Sequence, residues 1–566
     1  ASFASFRSIP LPLVPGASRM PQLSWGVVAV VLAATFLPTE AGAYDDWQAS
    51  GASGAVVAGG RDAAAAGIGQ LATGGNAVDA AVATILALSV TDSKSFCFGG
   101  EVPIMVYDAQ RDVVEVLCGQ GVAPRLATRE YFATHGGIPG SGLTPAAVPA
   151  ALDACLTALD RYGTRTFAEV AAPTLKLLDQ HAEPWHADLA ATLRRLIKAE
   201  SGSTDRRRGL RLVADYFYRG PIAQEIDAFC RTKGGLLRAS DLATHVTRVE
   251  DPITVDYRGH TVCKCGPWTQ GPYVLETLQL LQGFDLAGSG HNTPQTIHLV
   301  VEAMKLALAD RDVFYGDPLF VDVPLTALLA PDYAKTRREL IDRERASLTQ
   351  RPGDPRQGQA LLDAAQMRRG LGGPALDTTT CLVADKAGNV VAATPSGWSG
   401  VLAGSTGVWL GTRLQSFNTW PEHPNCIEPG KRPRITLTPT LVLKAGKPVL
   451  AISVAGGDGQ DQDTLQLLVN HIDFGLDPAR SVTADRFGTN HLLGSFRQTP
   501  PELGSLLVYE SLGPEVASEL AARGHLVQVV TRPLWAPTAL TIDHSTGTFR
   551  AAGDPRTGRH AAAISN

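Results

Sequence analysis

Three consecutive threonines, Thr378–Thr380, are the residues whose types and spacing suggest chemistry most directly. They stand in "LDTTTCLVADKAGNVVAATPS", where two predicted strands flank the turn "DKAGN". A threonine hydroxyl is a poor nucleophile. A chain cut immediately before a threonine would, however, carry an α-amine of pKa about 7.7 to 8.0 that can deprotonate the hydroxyl of the same residue. Threonine is also a common strand residue, so the triplet alone leaves open whether it is catalytic and which threonine would act.

A second stretch, "GGDGQDQD" from Gly456 to Asp463, could bind negative charge. It superficially resembles a calcium loop but lacks the closing glutamate. A glycine-rich turn in front of a helix offers backbone N–H groups that can hold an oxyanion. The motifs G-x-S-x-G, H-E-x-x-H and G-x-x-x-x-G-K-[ST] are absent from the sequence. Serine esterases of the common type, zincins and P-loop enzymes therefore lose support.

Composition indicates an ordinary globular protein that is large enough for two domains or one layered domain. Of its 566 residues, 44% are apolar and 19% are charged, and the formal net charge is -5. Lys and Arg are dispersed apart from Arg194–Arg211, which is interpreted as a solvated helix end and loop, so we expect no nucleic-acid partner. Eight cysteines are too few for a disulfide scaffold, although one or two disulfides stay open.

The first 43 residues are interpreted as a leader that contains a secretory signal. Met20 precedes an apolar run from Trp25 to Pro38, and Ala41-Gly42-Ala43 forms a small-x-small cleavage pattern. The run is too short to cross a bilayer comfortably, so we expect no stable membrane span. The mature protein is predicted to begin near Tyr44 and to be secreted or periplasmic.

The remaining pattern predicts a layered α/β architecture. Residues 55–90 read as two Ala-rich helices around a Gly-Gly turn, with Asn76 or Asp79 as the cap of the second. Residues 145–350 are mainly helical in pattern, and residues 343–377 read as an exposed, mobile segment. After Thr378 hairpins prevail, with one helix, "QDTLQLLVNHIDFGL", between them. Sheets built from hairpins, with helices packed on their faces, form a layered architecture.

The stretch "DTTTCLVADKAGNVVAAT" resembles the self-processing site of the γ-glutamyltransferase family. Further segments fall in the family's order along almost the entire mature chain: "GGNAVDAAVATILALSVT", "FGGEVPIMV", "YGTRTFAEVAAPTLKL", "FYRGPIAQEI", "DPITVDYRGHTV", "ADRDVFYGDP", "GKRPRITLTPTLVL", "AGGDGQD" and "AAGDPR". The resemblance implies an N-terminal-nucleophile hydrolase with a four-layer αββα sandwich. It also implies one precursor cut between Asp377 and Thr378 into a large subunit, 44–377, and a small one, 378–566, which stay together as a heterodimer.

The resemblance also implies the catalytic groups. Thr378 would be the nucleophile and its amine the base, and Ser396 would hydrogen-bond the nucleophile. The backbone N–H groups of Gly456 and Gly457 would form the oxyanion hole, and the Gly99-Gly100 turn should pack near the site. All of these groups are threonine, serine or main chain, so we expect neither a metal nor an organic cofactor. Thr380 replaces a histidine of the family pattern.

The substrate-binding positions depart from those of glutathione-using members. Gln120 stands where they have an arginine for the α-carboxylate, and Arg413 and Ser416 stand where groups for the α-amine are expected. Trp398 replaces an asparagine, and Ile435 and Thr436 replace paired serines. A cation in place of the ammonium receptor favours a carboxylate, so Arg413 and Arg434 are predicted to form an anion clamp.

The sequence therefore predicts a self-processing amidohydrolase or acyltransferase that acts on a small amide bearing a carboxylate. It resembles a branch with oxamate amidohydrolase-like members. Three alternatives stay open: a γ-glutamyl hydrolase or transferase acting on glutathione-like compounds, a β-lactam or glutaryl acylase, and an unprocessed secreted binding protein. The acceptor and the choice between hydrolysis and transfer are not fixed by the sequence.

Overall fold

The computed structural model describes residues 46–362, 378–397 and 400–565. The predicted signal segment, Asp377 and Trp398 lie outside the described residues. The strands are β1 (Gln48–Gly51), β2 (Gly54–Ala58), β3 (Ile104–Asp108), β4 (Val113–Cys118), β5 (Arg248–Glu250), β6 (Ile253–Tyr257), β7 (His260–Lys264), β8 (Cys381–Asp385), β9 (Val390–Ala393), β10 (Val401–Leu402), β11 (Trp409–Leu410), β12 (Thr440–Lys444), β13 (Lys447–Ala455), β14 (Phe487–Gly488), β15 (Ser505–Tyr509), β16 (Leu526–Val530), β17 (Ala536–Asp543), β18 (Thr548–Gly553) and β19 (His560–Ile564).

The helices lie between these strands along the chain, several of them in uninterrupted runs. They are α1 (Arg61–Ala72), α2 (Ala77–Thr91), α3 (Arg129–Thr134), α4 (Ala151–Tyr162), α5 (Phe167–Leu178), α6 (His186–Glu200), α7 (Arg206–Tyr218), α8 (Pro221–Lys233), α9 (Ala239–Ala243), α10 (Pro272–Leu281), α11 (Leu286–Ser289), α12 (Pro294–Phe314), α13 (Leu325–Leu328), α14 (Pro331–Arg338), α15 (Gln460–Ile472), α16 (Pro478–Thr483) and α17 (Pro514–Ala522). Short 3₁₀ turns include Arg413–Ser416 and Gly457–Gly459.

Two seven-stranded antiparallel sheets form the centre of the fold. One has the order β1-β18-β17-β13-β12-β7-β6 and the other β19-β2-β8-β9-β3-β4-β5. A buried cluster draws Val57, Met105 and Leu382 from one sheet and Leu441 and Leu540 from the other, so the two sheets face each other. Separate clusters join the outer face of each sheet to helices. The predicted αββα sandwich is confirmed.

Local sequence explains how the helices and hairpins near the centre begin and turn. The Asn76 side chain accepts hydrogen bonds from the backbone N–H groups of Val78 and Asp79, and the Asp79 carboxylate accepts one from the N–H of Asn76. This reciprocal capping box starts α2 where the sequence predicted it. β8 and β9 pair as an antiparallel hairpin, and the Asp385 carboxylate accepts from the N–H of Asn389 across its turn.

The structure locates the start of β8 and shows the state of the cysteines. β8 begins at Cys381, so Thr378–Thr380 precede the strand and do not start it. All eight cysteines are free and buried in the described part of the chain. They pack as small apolar side chains and form no disulfide there. Among the described residues, no helix has the length and apolar character needed to cross a membrane.

The segment before the threonines is described only as far as Leu362, and its described part, residues 343–362, contains no helix or strand. Its backbone is held at several points. The N–H of Ala346 donates to the carbonyl of Arg523, and the N–H of Gly353 donates to the buried Asp310 carboxylate over 2.7 Å. Residues 343–377 are predicted to be mobile, but the described part of this segment is attached to the fold.

Candidate active site

Thr378 lies in the interior at the entrance to β8, with only 3% of its surface exposed. Its backbone N–H donates to the carbonyl of Ser95 over 3.0 Å. The next residue, Thr379, donates its N–H to the carbonyl of Pro395 over 2.8 Å. Thr378 has a φ of 113°, a conformation that is a genuine outlier for a β-branched residue. The backbone is thus strained at the residue that follows the predicted cleavage point.

Ser396 places a second hydroxyl beside Thr378. The two Oγ atoms are 3.2 Å apart, within hydrogen-bond range for two hydroxyls, and Ser396 is fully buried. The backbone of Ser396 exchanges two hydrogen bonds with that of Glu101, at 2.9 and 3.0 Å. Gly100 permits this close approach, because a Cβ there would overlap the Ser396 carbonyl oxygen. The predicted proximity of the Gly99-Gly100 turn to the site is confirmed.

Arg413 brings a positive charge to the same place. It lies in the 3₁₀ turn Arg413–Ser416, is 2% exposed, and donates from Nη2 to Ser396 Oγ over 2.8 Å. Its Nε donates to Glu101 Oε1 over 2.5 Å, and its Cζ lies 5.5 Å from the centre of the Phe496 ring. The guanidinium is therefore held by a carboxylate and an aromatic face, one hydroxyl away from Thr378.

Gly456 and Gly457 follow the end of β13 and lead through a 3₁₀ turn into α15. Their φ values are 138° and 62°, a region that glycine adopts without the strain of a Cβ. The neighbouring Asp458 fixes the turn, because it accepts from Arg311 Nη1 over 3.0 Å and from the backbone N–H of Ser495 over 2.8 Å. A rigid turn of this kind at the start of a helix presents backbone N–H groups to an anion.

A pair of side-chain hydroxyls joins the two sheets where these elements end. The Oγ atoms of Thr394 and Ser453 are 3.0 Å apart, and Ser453 also donates to the carbonyl of Ala393 over 2.9 Å. Thr394 comes two residues before Ser396, and Ser453 comes three residues before Gly456. The strand that leads to Ser396 and the strand that leads to the glycine turn therefore meet at this point.

Three other predicted substrate residues are buried polar groups. Gln120 is 1% exposed, donates from Nε2 to the carbonyl of Gly121, and has no hydrogen-bond partner at Oε1 among the described residues. Ser416 is fully buried, and its Oγ has no partner in that part of the chain either. Thr436 Oγ1 accepts from Gln460 Nε2 over 2.8 Å, at the first residue of α15. Gln120 and Ser416 each retain an unused polar atom.

Arg434 lies in a different environment from Arg413. It is 2% exposed, donates from Nη1 to the carbonyl of Arg311, and lies 3.5 Å from Asp312 Oδ1. Burial and then the charge of Arg311 lower its pKa to about 10. Arg311 in turn pairs with Asp458. The contacts of Arg434 thus join it to the ion-pair network that holds the glycine turn, and not to Ser396.

Sequence reasoning missed Glu101 and Phe496, the two residues that hold Arg413. Glu101 stands directly after the Gly99-Gly100 turn in "FGGEVPIMV". The sequence feature that could have indicated Glu101 is an acidic residue directly after the Gly-Gly turn. Phe496 carried no signal, because its contact with Arg413 joins segments that are 83 positions apart in the numbering.

One cluster away from this site combines residue types that bind metals. The buried side chains of His298, Glu302 and His525 offer ligand atoms within 4.8 Å of one another. Glu302 already accepts from Lys305 Nζ at 2.7 Å and Arg351 Nη2 at 3.0 Å, and the two histidines share a 2.9 Å hydrogen bond. The two cationic neighbours oppose a metal cation, so the cluster is explained as a hydrogen-bonded network.

The fold and the site together define a class of protein, the N-terminal-nucleophile hydrolases, in which a processed chain exposes its catalytic residue. A cephalosporin acylase from Bacillus halodurans has the same fold, with a TM-score of 0.77 and 29% identity over 92% of this chain and 97% of that one. The structure of LmbA2991HD matches with a TM-score of 0.82 and 33% identity, over 91% of this chain and 99% of that one.

The sequence comparisons identify the family. The gamma-glutamyltranspeptidase family model matches residues 63–183 and 180–564. A glutathione hydrolase proenzyme of Bacillus subtilis (strain 168) is 30% identical over 531 residues, covering 87% of this chain and 88% of that protein. An acylase ACY 1 proenzyme of Pseudomonas sp. (strain SE83) is 31% identical over 528 residues, covering 85% and 88%. The chain belongs to the γ-glutamyltranspeptidase family and is a self-processing amidohydrolase or acyltransferase.

Proposed function

We propose that this protein severs its own peptide bond between Asp377 and Thr378 and then uses Thr378 to cleave a small amide that bears a carboxylate. The observation that carries the proposal is the buried row of three groups: Thr378 Oγ, Ser396 Oγ at 3.2 Å, and Arg413 Nη2 a further 2.8 Å on. It puts a hydroxyl nucleophile, a hydroxyl that orients it and a cation into one water-poor site.

Self-cleavage follows from the position of Thr378. Its Oγ attacks the carbonyl carbon of Asp377, the C–N bond breaks, and the proton of Oγ passes to the departing nitrogen. Water then hydrolyses the resulting ester and leaves a carboxylate on Asp377 and a free amine on Thr378. The φ of 113° supports this step, because strain of this kind, about 1–3 kcal/mol, is released when the bond before Thr378 breaks.

The same hydroxyl then attacks the substrate. The new amine accepts the Oγ proton and later delivers it to the departing amine of the substrate. The N–H groups of Gly456 and Gly457 stabilise the oxyanion, and one such donor is worth about 3 kcal/mol of barrier. Arg413 donates to Ser396 Oγ, so the proton of Ser396 can point to Thr378 Oγ and stabilise it as it loses its own.

The carboxylate of the substrate is assigned to Arg413. Its guanidinium is fixed by Glu101 at Nε and by the face of Phe496, and a fixed, planar cation binds carboxylates with defined geometry. The relatives named as acylases belong to the same family, so amides without a γ-glutamyl group are within its range.

A second candidate, a γ-glutamyl compound, is favoured by one observation. Glu101 is a carboxylate, 3% exposed, in contact with Arg413, and it could accept the ammonium of a γ-glutamyl group. One relative is named a glutathione hydrolase proenzyme. Arg413 and Glu101 would then bind the carboxylate and the ammonium of the same amino acid.

The two processed pieces are expected to stay together as a heterodimer. In one sheet, β8 and β9 of the predicted small subunit lie between β2 and β3 of the large one. In the other sheet, four strands of the small subunit, β18, β17, β13 and β12, lie between β1 and β7 of the large one. Separation would break backbone pairing in both sheets. Export to the periplasm or the outside is proposed from the leader sequence and is checked by the N-terminus of the exported protein.

Processing is tested on the purified full chain by denaturing gel electrophoresis and N-terminal sequencing. Two bands are expected, the smaller beginning at Thr378. Thr378→Ala should stay one chain, whereas Thr378→Ser should still split. A Thr378→Ala protein that splits before residue 378 would overturn the assignment of the nucleophile.

The substrate is tested with three anilides that differ by one group each. Glutaryl-p-nitroanilide carries a carboxylate, γ-glutamyl-p-nitroanilide adds an α-ammonium, and butyryl-p-nitroanilide lacks the carboxylate. We expect the highest kcat/KM for the glutaryl compound and a large loss for it in Arg413→Ala. Preference for the γ-glutamyl compound, undiminished in Arg413→Ala, would refute the carboxylate clamp.

A further inference from the structure

A cavity of about 420 Å³ opens beside the proposed oxyanion turn. Gly456 and Gly457 form part of its wall, and Phe496, whose ring packs against Arg413, forms another part. Trp535 lies on the cavity and is half-buried. The cavity thus adjoins two groups of the proposed reaction, and Trp535 in its lining has no role assigned in that reaction.

Three glycines lie directly against the indole ring of Trp535. A Cβ on Gly456, on Gly459 or on Gly488 would in each case overlap atoms of that ring. Gly456 and Gly459 belong to the turn before α15, whereas Gly488 ends the short strand β14. Because these three positions have no side chain, the ring packs directly against the backbone, and its remaining surface lies on the cavity.

The backbone of Trp535 is strained in holding this position. Its φ is 57°, in the left-handed region that bulky residues rarely adopt. A conformation of this kind persists where the surrounding structure fixes it, and it is enriched at ligand sites. Packing alone would not require an aromatic ring in such a conformation on the wall of an open cavity.

The chemistry of the lining indicates what the cavity accepts. Trp535, Phe496, Leu492 and Leu507 provide apolar surface, and among the polar lining residues Asn490 Nδ2 donates to Glu502 Oε2 over 3.0 Å. An indole face attracts planar rings, and stacking adds about 0.5–1.5 kcal/mol to the gain from burial. A volume of about 420 Å³ has room for a ring together with the groups attached to it.

We propose that Trp535 is a specificity-determining residue that stacks on a planar aromatic ring of the substrate, on either side of the scissile amide. This inference rests on the proposed function, because it assigns the ring to the amide that Thr378 cleaves. A ring on the amine side and a ring on the acyl side offer the same chemistry, and substrates that carry one or the other distinguish them.

The test compares matched aryl and alkyl amides. On the amine side these are glutaryl anilide and glutaryl butylamide, and on the acyl side 3-phenylglutaramic acid and glutaramic acid. In Trp535→Ala we expect KM to rise about tenfold for the aryl member of at least one pair, with the alkyl member unchanged. Trp535→Phe should restore most of the preference. Trp420→Ala, a half-buried tryptophan outside the cavity lining, is the control.

A second variant moves the ring without removing it. Gly488→Ala places a methyl group where the indole now lies and should abolish the aryl preference while Trp535 stays in the chain. A KM that rises equally for aryl and alkyl amides in Trp535→Ala, or that does not rise for either aryl substrate, overturns the inference.

Failure of the proposed function would look different. In that case the unmodified protein would cleave none of these amides, and binding would be measured directly by titration calorimetry with acetanilide and N-butylacetamide. Tighter binding of acetanilide that disappears in Trp535→Ala would still support the aromatic site. Equal binding of the two compounds would refute it.

Discussion

Arg413 and Glu101 form an ion pair, Nε to Oε1 at 2.5 Å, in which the side chains are 2% and 3% exposed. The pair joins residues that are 312 positions apart in sequence. A buried charge without its partner is strongly destabilising, so each residue fixes the other beside Ser396. The pair therefore fixes the charges that lie beside Ser396, one hydroxyl away from Thr378.

Glu101→Gln should separate the two candidate substrates. The amide keeps a hydrogen-bond acceptor for Arg413 Nε but removes the negative charge that could hold an ammonium. We expect KM for glutaryl-p-nitroanilide to stay constant or fall, and KM for γ-glutamyl-p-nitroanilide to rise about tenfold, the loss of one charge-assisted hydrogen bond. Steady-state kinetics measure both values. Glu115→Gln, at an ion pair with Arg111, is the control. Equal changes for both substrates would contradict the assigned roles.

Ser396→Ala should slow both self-cleavage and turnover. It removes the hydroxyl 3.2 Å from Thr378 Oγ and leaves Arg413 Nη2 without the acceptor at 2.8 Å. A hydrogen bond to a charged group contributes about 1.5–3 kcal/mol, which corresponds to a loss of about 10- to 100-fold in kcat. Gel densitometry follows processing, and amine release follows kcat. Ser396→Thr, which keeps a hydroxyl, should retain most activity. Full activity in Ser396→Ala would show that this hydroxyl is not needed.

Lys264→Met should destabilise the fold behind the glycine turn. Lys264 Nζ is fully buried and donates to Asp461 Oδ1 over 2.7 Å and to Thr438 Oγ1 over 2.6 Å, which fixes the first turn of α15 to the neighbouring strand. Removal of one partner of a buried pair costs about 3–5 kcal/mol. Urea unfolding of the processed protein measures the loss. Lys264→Met combined with Asp461→Leu should recover part of it, whereas a double variant less stable than Lys264→Met would contradict the pairing.

Acid should destabilise the protein through two buried histidines. Burial first, and then Lys305, lowers the pKa of His491 to about 3 and that of His525 to about 2. His491 Nδ1 accepts from the N–H of Gly504, which requires that nitrogen to be unprotonated. His525 faces His298, Lys305, Arg523 and His491, and each of these four groups opposes a further positive charge on it.

The sign of the effect follows from the depressed values. Above a pH of about 6.5 both residues are neutral in the folded and unfolded states, and the stability is complete. As the pH falls below that value, the two histidines bind protons in the unfolded chain but not in the folded chain. The free energy of unfolding therefore decreases until the pH reaches the pKa of the folded state. Between pH 7 and pH 5 each residue should lower the free energy of unfolding by about 2 kcal/mol.

Urea unfolding at pH 7 and pH 5 checks this expectation. His491→Gln should flatten the dependence on pH, whereas His135→Gln, at an exposed position, should not. An unchanged slope in His491→Gln would show that another group controls the acid response.

The sequence predicted the hairpins around Thr378 better than the contacts between distant segments. The turn "DKAGN" and the strand-like residues on either side of it encode β8 and β9 locally. Thr378 precedes β8 and Ser396 follows β9, so both lie at the open end of that hairpin. The parallel pair β15 and β16 was not predicted, because the strands are short, β16 is largely exposed, and they are joined through α17. Glu101 and Arg413 meet only through the tertiary fold, and no local pattern reports such a contact.

The interleaving of strands from both predicted subunits has a consequence for assembly. Each sheet alternates strands from the two sides of Thr378, so neither side can complete a sheet alone. One continuous chain presents the two sets of strands to each other at a high effective concentration, which a pair of separately made polypeptides would lack. The proposed cut before Thr378 would therefore act as a checkpoint. Glu101 and Arg413 join Ser396 only through the tertiary fold, so only a chain that has assembled completes the site that could become active.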